Sequence, residues 1–308
     1  MTDAAYVAGD WGTSNLRLYL CAGDGRVLER RAGQGVAALR AAGSPDWAGV
    51  IHGLAAGWDE QLPVLLCGMV GADIGWQRVP YLPCPVATEA LAQACVAVPG
   101  TRMRIVPGLG CTNLHGAYDV MRGEETQIAG ALQLEPRLQA GRQLLCLPGT
   151  HAKWAWLESG TVTGFVTAAS GELYALIQQH SVLVRDAAAR PDESGFAAAL
   201  AQLDRHPQAA FPQLAFECRT RQLSGEFNGA SAAGYLSGLL VGSEVRAVLA
   251  EGGRPGEPVV LVGEPALCAA YATALRHHSV PSQALAGDEC VRAGLHAIIR
   301  QALPRDPA

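Results

Sequence analysis

Lysine is nearly absent from this chain: 22 of its 23 Lys and Arg residues are arginine, and Lys153 alone is lysine. Aromatic residues are sparse as well, at 6% of 308 positions. No run of five or more basic residues occurs and the net charge is -5, which argues against a nucleic-acid or anionic-membrane surface. No positively charged amino-terminal stretch leads into a long apolar one, so no signal peptide is expected and the cytoplasm is the expected compartment. Nine scattered cysteines form no C-x-x-C pair, a pattern of reduced, packed thiols and not of zinc or a disulfide framework. The loop G-x-x-x-x-G-K-[S/T] is missing too, because the only lysine follows alanine, and this excludes a P-loop kinase. The glycines of Gly108-Leu-Gly-Cys-Thr-Asn make a broken dinucleotide fingerprint and are discounted.

What is present points to anion binding. Residues 6–19 read as an apolar strand ending in Asp10, a turn through Gly12, Thr13, Ser14 and Asn15, and a second apolar strand carrying Arg17. Glycine lets a ligand approach the backbone, successive amides form an anion-binding concavity, and one aspartate beside substrate phosphates is enough to hold hydrated Mg²⁺. The plain alternative is a hairpin turn with residues chosen for turn propensity. The layout recurs at 144–157, where Leu147 leads into Pro148, Gly149, Thr150 and His151, and the strand that follows carries Lys153. A compact ammonium in an otherwise arginine-only chain suggests a site that wants a point charge, against the alternative of a residual accident. Two such hairpins suggest two lobes that each grip a nucleotide.

Periodicity supports an α/β architecture. Strands are expected near 6–10, 15–21, 26–30, 63–67, 104–106, 258–263 and 280–285. Helices are expected from Pro45, over 124–134, from about 171, and over 229–250, 265–276 and 289–303. Residues 68–85 form a long segment rich in glycine, proline and aromatics, a length usually kept for function. In the helix at 229–250, Gly234, Gly238 and Gly242 recur every fourth residue, and the apolar run falls short of the roughly 20 residues of a membrane span. Close helix packing is the expectation there.

Several segments together are more specific. Asp10-Trp-Gly-Thr-Ser-Asn, Cys67-Gly-Met-Val-Gly, Pro80-Tyr-Leu-Pro-Cys-Pro, Asp119-Val-Met-Arg-Gly-Glu-Glu-Thr-Gln and Leu147-Pro-Gly-Thr-His-Ala-Lys-Trp resemble the 2-dehydro-3-deoxygalactonokinase family, of the sugar kinase, heat-shock protein and actin superfamily. The resemblance extends to Gly171-Glu-Leu-Tyr and Tyr235-Leu-Ser-Gly-Leu-Leu-Val-Gly. It implies a two-lobed, actin-like (ribonuclease H-like) α/β fold with a nucleotide cleft between the lobes. The first lobe is expected over 1–128, with the C-terminal helix at 288–308 packing back on it, and the second over 129–287. The implied reaction is ATP- and Mg²⁺-dependent phosphorylation of the terminal hydroxyl of 2-dehydro-3-deoxy-D-galactonate, a step of galactonate catabolism.

The resemblance also distributes roles. Asp10 would hold the metal. Gly12, Thr13, Ser14, Asn15, Arg17, Gly149, Thr150, His151, Lys153, Gly263 and Glu264 would contact the nucleotide, and Met69, Trp76, Tyr81 and Arg122 the sugar acid, with Arg122 forking onto its carboxylate. Glu124 is the first choice of base, Glu125 the second and Asp119 behind them, against the alternative of first-turn acids that answer the helix dipole. His151 is expected to be a hydrogen-bonding turn residue. Two positions depart from the family pattern: Ala72-Asp73 stands where Ser-Arg is expected, and Gly263-Glu264 where a glycine pair is usual. Alternatives are a kinase of another sugar or sugar acid and a non-catalytic nucleotide sensor. The oligomeric state, a homodimer included, is left open.

Overall fold

The computed structural model describes residues 3–43, 45–186, 188–252 and 256–302. The chain begins with β1 (Ala4–Trp11), β2 (Asn15–Ala22), β3 (Val27–Gln34), α1 (Val36–Ala41), α2 (Trp47–Leu54), β4 (Val64–Cys67), β5 (Tyr81–Pro83), α3 (Thr88–Gln93), β6 (Val96–Ala97), β7 (Met103–Ile105), β8 (Gly108–Thr112), β9 (Tyr118–Met121) and α4 (Glu124–Leu134). There follow β10 (Arg142–Leu147), β11 (Ala152–Glu158), β12 (Thr161–Ala168), α5 (Ser170–His180), α6 (Glu193–Arg205), α7 (Phe211–Leu223), α8 (Gly229–Glu251), β13 (Val259–Gly263), α9 (Pro265–His277), β14 (Ser282–Ala286) and α10 (Gly287–Ala302). The backbone divides into two compact units. Unit 1 comprises Met1–Gly141, Trp156–Phe165 and Ala286–Ala308; unit 2 comprises Arg142–Ala155 and Val166–Leu285. The last residues of the expected C-terminal helix, 303–308, lie outside the described residues.

In unit 1 a six-stranded sheet has the order β3-β2-β1-β4-β7-β6. β1 runs antiparallel to β2 and parallel to β4, which is parallel to β7. Its interior strands are apolar on both faces, as parallel strands covered on both sides must be. Trp11, Leu16, Leu18, Leu66 and Ile105 meet Trp47 and Ile51 of α2 in the core, and the Trp11 and Trp47 rings stand edge to face at 5.4 Å. A second sheet, β5-β8-β9, follows the long segment after β4. Its glycines are structural: a Cβ at Gly108 would lie 2.6 Å from the Tyr81 ring, and one at Gly110 2.5 Å from the Tyr118 hydroxyl. The broken dinucleotide fingerprint is therefore a strand that makes room for two tyrosines.

Unit 2 repeats the plan. Its sheet has the order β12-β11-β10-β13-β14, with β10 parallel to β13, so in both units the third, second and first strands precede a fourth added parallel to the first. The glycine ladder of α8 packs on α6: Cβ atoms at Gly234, Gly238 and Gly242 would meet Asp192 O at 2.3 Å, Phe196 O at 2.7 Å and Leu200 Cδ2 at 2.6 Å. No helix among the described residues is long and apolar enough to cross a membrane. No disulfide joins any of the nine cysteines, all of them among the described residues, and all but Cys84 are buried.

α10 belongs to unit 1, where its backbone touches that of α4. A Cβ at Gly130 would stand 1.7 Å from Cys290 O, and one at Gly294 1.9 Å from Thr126 O. Overpacking a core typically costs about 1–3 kcal/mol. Gly130→Ala is accordingly expected to lower the melting temperature by several degrees in scanning calorimetry. Gly53→Ala is the control, since nothing lies within 4 Å of its Cβ position in α2, and it should leave the melting temperature unchanged or raise it slightly. Equal effects of the two would mean that the α4–α10 crossing is not tight.

Candidate active site

β1 delivers Asp10 to the edge of the first turn, where Gly12 N–H donates to Asn15 O at 2.9 Å. The carbonyls of Gly12, Thr13 and Ser14 accept from the N–H groups of Val36, Ala37 and Gly35 at 3.0–3.2 Å. The turn thus spends its carbonyls on the start of α1, while the N–H groups of Thr13 and Ser14 have no acceptor among the described residues. Gly35 is what permits the contact, because its Cβ would lie 2.3 Å from Thr13 O. Gly12 needs no such explanation inside the protein: its Cβ would meet nothing closer than 3.7 Å, and its φ is not positive. Its missing side chain leaves the turn's outer surface open.

Asp10 faces Arg17 across the β1–β2 ladder, with Arg17 Nη1 3.2 Å from Asp10 Oδ2. Burial pushes the Asp10 carboxyl above its ordinary value, and Arg17 offsets part of that shift. On its other side Asp10 pairs in register with Cys67, which leads into Gly68. Gly68 has φ 88°, and its Cβ would fall 2.8 Å from Trp11 O. Gly123, with φ 106°, has Gly68 as its nearest neighbour, so two left-handed glycines bring the start of α4 up to the end of β1.

The two glutamates of that helix start differ. Glu125 is buried, accepting from Gly123 N–H at 2.7 Å and from the Thr126 hydroxyl at 3.0 Å. Burial first, and the neighbouring Glu124 second, push its carboxyl up to about 8. The Cys67 thiol is held well above its usual range by burial and by Asp10 and Glu125. Glu124 is half-buried and accepts from Arg122 N–H at 2.9 Å. Asp119 is engaged in the β8–β9 hairpin, accepting from Val120 N–H at 2.8 Å and from Asn113 Nδ2 at 3.2 Å.

Arg122 lies 4.3 Å over the Tyr81 ring and donates from Nη2 to Val79 O at 2.6 Å. Its Nε and Nη1 are buried without an acceptor among the described residues, and Gly71 makes room for them, since a Cβ there would sit 2.8 Å from Nη1. Met69 and Trp76 pack against the unit 1 core. Arg40 holds their loop through Ile74 O at 2.8 Å and Gly75 O at 3.2 Å. Asp73, in the position where arginine was expected, forms an exposed ion pair with Arg78 at 3.0 Å.

The remaining candidates belong to unit 2. Nothing lies within 4 Å of the Gly149 Cβ position, again without a positive φ. Gly171 repeats the device of Gly35, with its Cβ position 2.3 Å from Gly149 O, and Glu172 N–H donates to Thr150 O at 2.9 Å. His151 Nε2 pairs with the Glu172 carboxylate at 2.9 Å. Lys153 is buried and donates to the Thr167 hydroxyl at 2.9 Å. Gly263 lies against Pro148, its Cβ position 3.3 Å from Pro148 O. Glu264 caps α9, accepting from Leu267 N–H at 3.1 Å.

The candidates therefore fall into two sets. Asp10, Gly12, Thr13, Ser14, Asn15, Arg17, Met69, Trp76, Tyr81, Arg122, Glu124 and Glu125 lie in unit 1; Gly149, Thr150, His151, Lys153, Gly263 and Glu264 lie in unit 2. Sequence reasoning overlooked Gly35, and it saw Gly171 only as part of a motif. Their one sequence signal is a glycine where a helix starts after the third strand. Among the described residues no group of three or more His, Cys, Asp or Glu side chains could hold a metal ion.

The sequence model of the 2-keto-3-deoxy-galactonokinase family matches residues 10–298. The chain is 36% identical to the 2-dehydro-3-deoxygalactonokinase of Escherichia coli (strain K12), over 96% of this chain and 97% of that protein. It is 38% identical to the Rhizobium meliloti (strain 1021) protein assigned as 2-dehydro-3-deoxygalactonokinase DgoK1, over 99% of this chain and all of that one. A crystal structure of a Sinorhizobium meliloti protein assigned to the same activity superposes with a TM-score of 0.88 at 36% identity, covering 97% of this chain and 100% of that one. A more distant likeness, to the ADPNP-bound activator of 2-hydroxyisocaproyl-CoA dehydratase from Clostridium difficile, has a TM-score of 0.50 at 12% identity, covers 98% of this chain and 99% of that one, and bears on the fold alone. The fold is the α/β fold of actin-like ATPases and sugar kinases, and the chain belongs to the 2-keto-3-deoxy-galactonokinase family.

Proposed function

We propose that the protein transfers the γ-phosphoryl group of ATP to the terminal hydroxyl of 2-dehydro-3-deoxy-D-galactonate, giving the 6-phosphate and ADP. Family membership over nearly the whole chain supports the reaction. The observation that carries the placement of roles is the meeting of Gly68 with Gly123, which brings Asp10, the open turn and the Glu124 helix start into one neighbourhood of unit 1.

Thr13 and Ser14 offer two free N–H groups to a phosphate oxygen, and the open face at Gly12 lets it approach. Asp10 suits Mg²⁺ because this ion keeps several waters and takes one or two carboxylates plus phosphate oxygens. Bound there, the ion would neutralise charge on the transferring group. Glu124 accepts the hydroxyl proton as the new O–P bond forms and the bond to the β-phosphate oxygen breaks. Glu125 is spent on its own helix start and keeps that turn in place. Arg122 takes the substrate carboxylate, a partner that would satisfy its two idle donors, with Tyr81 supporting the guanidinium plane. Gly149, Thr150 and His151 offer a second phosphate-type turn for the nucleotide, and the turn at Gly263, which lies against Pro148, belongs with its adenosine. Glu264, as a helix cap, shapes that turn.

A coupled ADP-release assay across 2-keto-3-deoxy sugar acids tests the assignment. The galactonate form should give the highest kcat/KM. A preference for the gluconate form would transfer the activity to another sugar acid, a reading that Asp73 favours because it puts an acid where a cation was expected. No ADP release from any member would leave a non-catalytic nucleotide binder.

Glu124→Gln should lower turnover at least ~100-fold with little change in melting temperature, since a general base typically contributes about 10²- to 10⁴-fold. Glu125→Gln should affect turnover much less and act on stability instead. A carboxyl held near 8 when folded and near 4.5 when unfolded favours the folded state fully below pH 4.5, and that contribution is lost as pH rises through 8. Melting curves between pH 5 and 8 should therefore slope downward in the wild type and flatten in Glu125→Gln. The reverse pattern, with Glu125 governing turnover, would move the base by one residue.

Arg122→Lys keeps the charge and loses the fork. It should raise KM for the sugar acid by about tenfold or more while leaving KM for ATP unchanged, the loss expected for a bidentate charge-assisted pair. A shift in KM for ATP alone would place Arg122 at the nucleotide.

A further inference from the structure

Unit 2 encloses a carboxylate that none of these roles uses. Glu244 lies on α8 and is 8% exposed. Three donors from three other elements converge on it: Trp154 Nε1–H of β11 at 2.7 Å, the Tyr271 hydroxyl of α9 at 3.0 Å from each oxygen, and the hydroxyl of Ser170, the first residue of α5. The Trp154 and Tyr271 rings themselves lie 6.1 Å apart. Burying a carboxylate is costly unless its lone pairs are filled. An ionised carboxylate is also the side chain that accepts without donating, so it can serve all three donors where an amide would turn an N–H toward one of them.

Two of the three donors belong to the surroundings of the Gly149–His151 turn. Trp154 lies on the strand that leaves it. Ser170 immediately precedes Gly171 and Glu172, the pair that packs on Gly149 O, donates to Thr150 O and holds His151. We propose that Glu244 is a positioning residue for the nucleotide: by tying β11 to the first turn of α5 it presets the Gly149–Thr150 turn for a phosphate that it never touches. The inference rests on the reading of residues 149–151 as a nucleotide-phosphate turn.

Ser170→Ala cuts only the link to α5 and keeps Trp154 and Tyr271 on the carboxylate; Glu244→Gln disturbs the centre itself. Both should weaken ATP binding measured by calorimetry about tenfold, the scale of one lost hydrogen bond to a charged group. KM for ATP should rise in step, KM for the sugar acid should stay within about twofold, and amide exchange at 149–151 should quicken. A purely structural anchor would instead lower stability and leave the two KM values in their original ratio, which would overturn the proposal. Gly149→Val is the companion variant, because open space around that position tolerates the side chain while a phosphate would not. Should Gly149→Val weaken ATP binding and Ser170→Ala leave it intact, positioning by Glu244 is refuted alone. Should neither matter, the phosphate-turn reading falls and takes the inference with it. Ser170→Ala decides the question if Glu244→Gln does not fold.

Discussion

The phosphate sites proposed for this protein depend on one steric arrangement, a hairpin turn pressed against the start of a helix with no side chain between them. At Gly35 and again at Gly171 a Cβ would sit 2.3 Å from a turn carbonyl, closer than any real contact allows. The closeness has a directional result. Turn carbonyls pointed at helix N–H groups leave the turn's own N–H groups facing the other way, and in unit 1 those of Thr13 and Ser14 have no acceptor among the described residues. Each turn also carries a glycine, Gly12 or Gly149, that the protein's own packing does not require. One glycine of each pair lets the protein close on the turn, and the other leaves the turn's outer face open.

The acids of unit 1 are sorted by their surroundings. Glu125 is sealed beneath the first turn of α4, where burial and Glu124 raise its carboxyl to about 8. Asp10 is also raised, yet keeps Arg17 beside it and an edge toward the open turn. Glu124 accepts from the Arg122 N–H and remains half-buried. Glu125 and Asp10 are thus both raised by burial, but Glu125 is sealed in its own helix start and Asp10 sits beside an arginine at the edge of the first turn.

Much of the architecture was legible in the sequence. The strands β1 to β3, the helices α4, α8 and α9, and the glycine ladder of α8 all carry a period or a punctuation that survives without tertiary context. The short elements β8 and α1 were not legible, because they exist through partners distant in sequence: β8 is a strand where Tyr81 packs over Gly108, and α1 is held by the turn at 12–14. The candidate site was legible as motifs but not as contacts. Glu264 stood in a motif slot, and its carboxylate caps α9. Lys153 stood out by composition, and the bond described for its ammonium goes to Thr167. Glu244 gave no signal at all, since a lone acid in an apolar helix looks the same on paper whether three donors await it or none.

The return of α10 to unit 1 sets an order of assembly. Its seat on α4, where Gly130 and Gly294 bring two backbones together, is made early in synthesis, whereas α10 itself is made only after β10 to β14 and the helices between them. A ribosome therefore releases most of the first unit with an uncovered face, and that unit waits through the making of the second. The half of the protein that is translated first is the last to be finished.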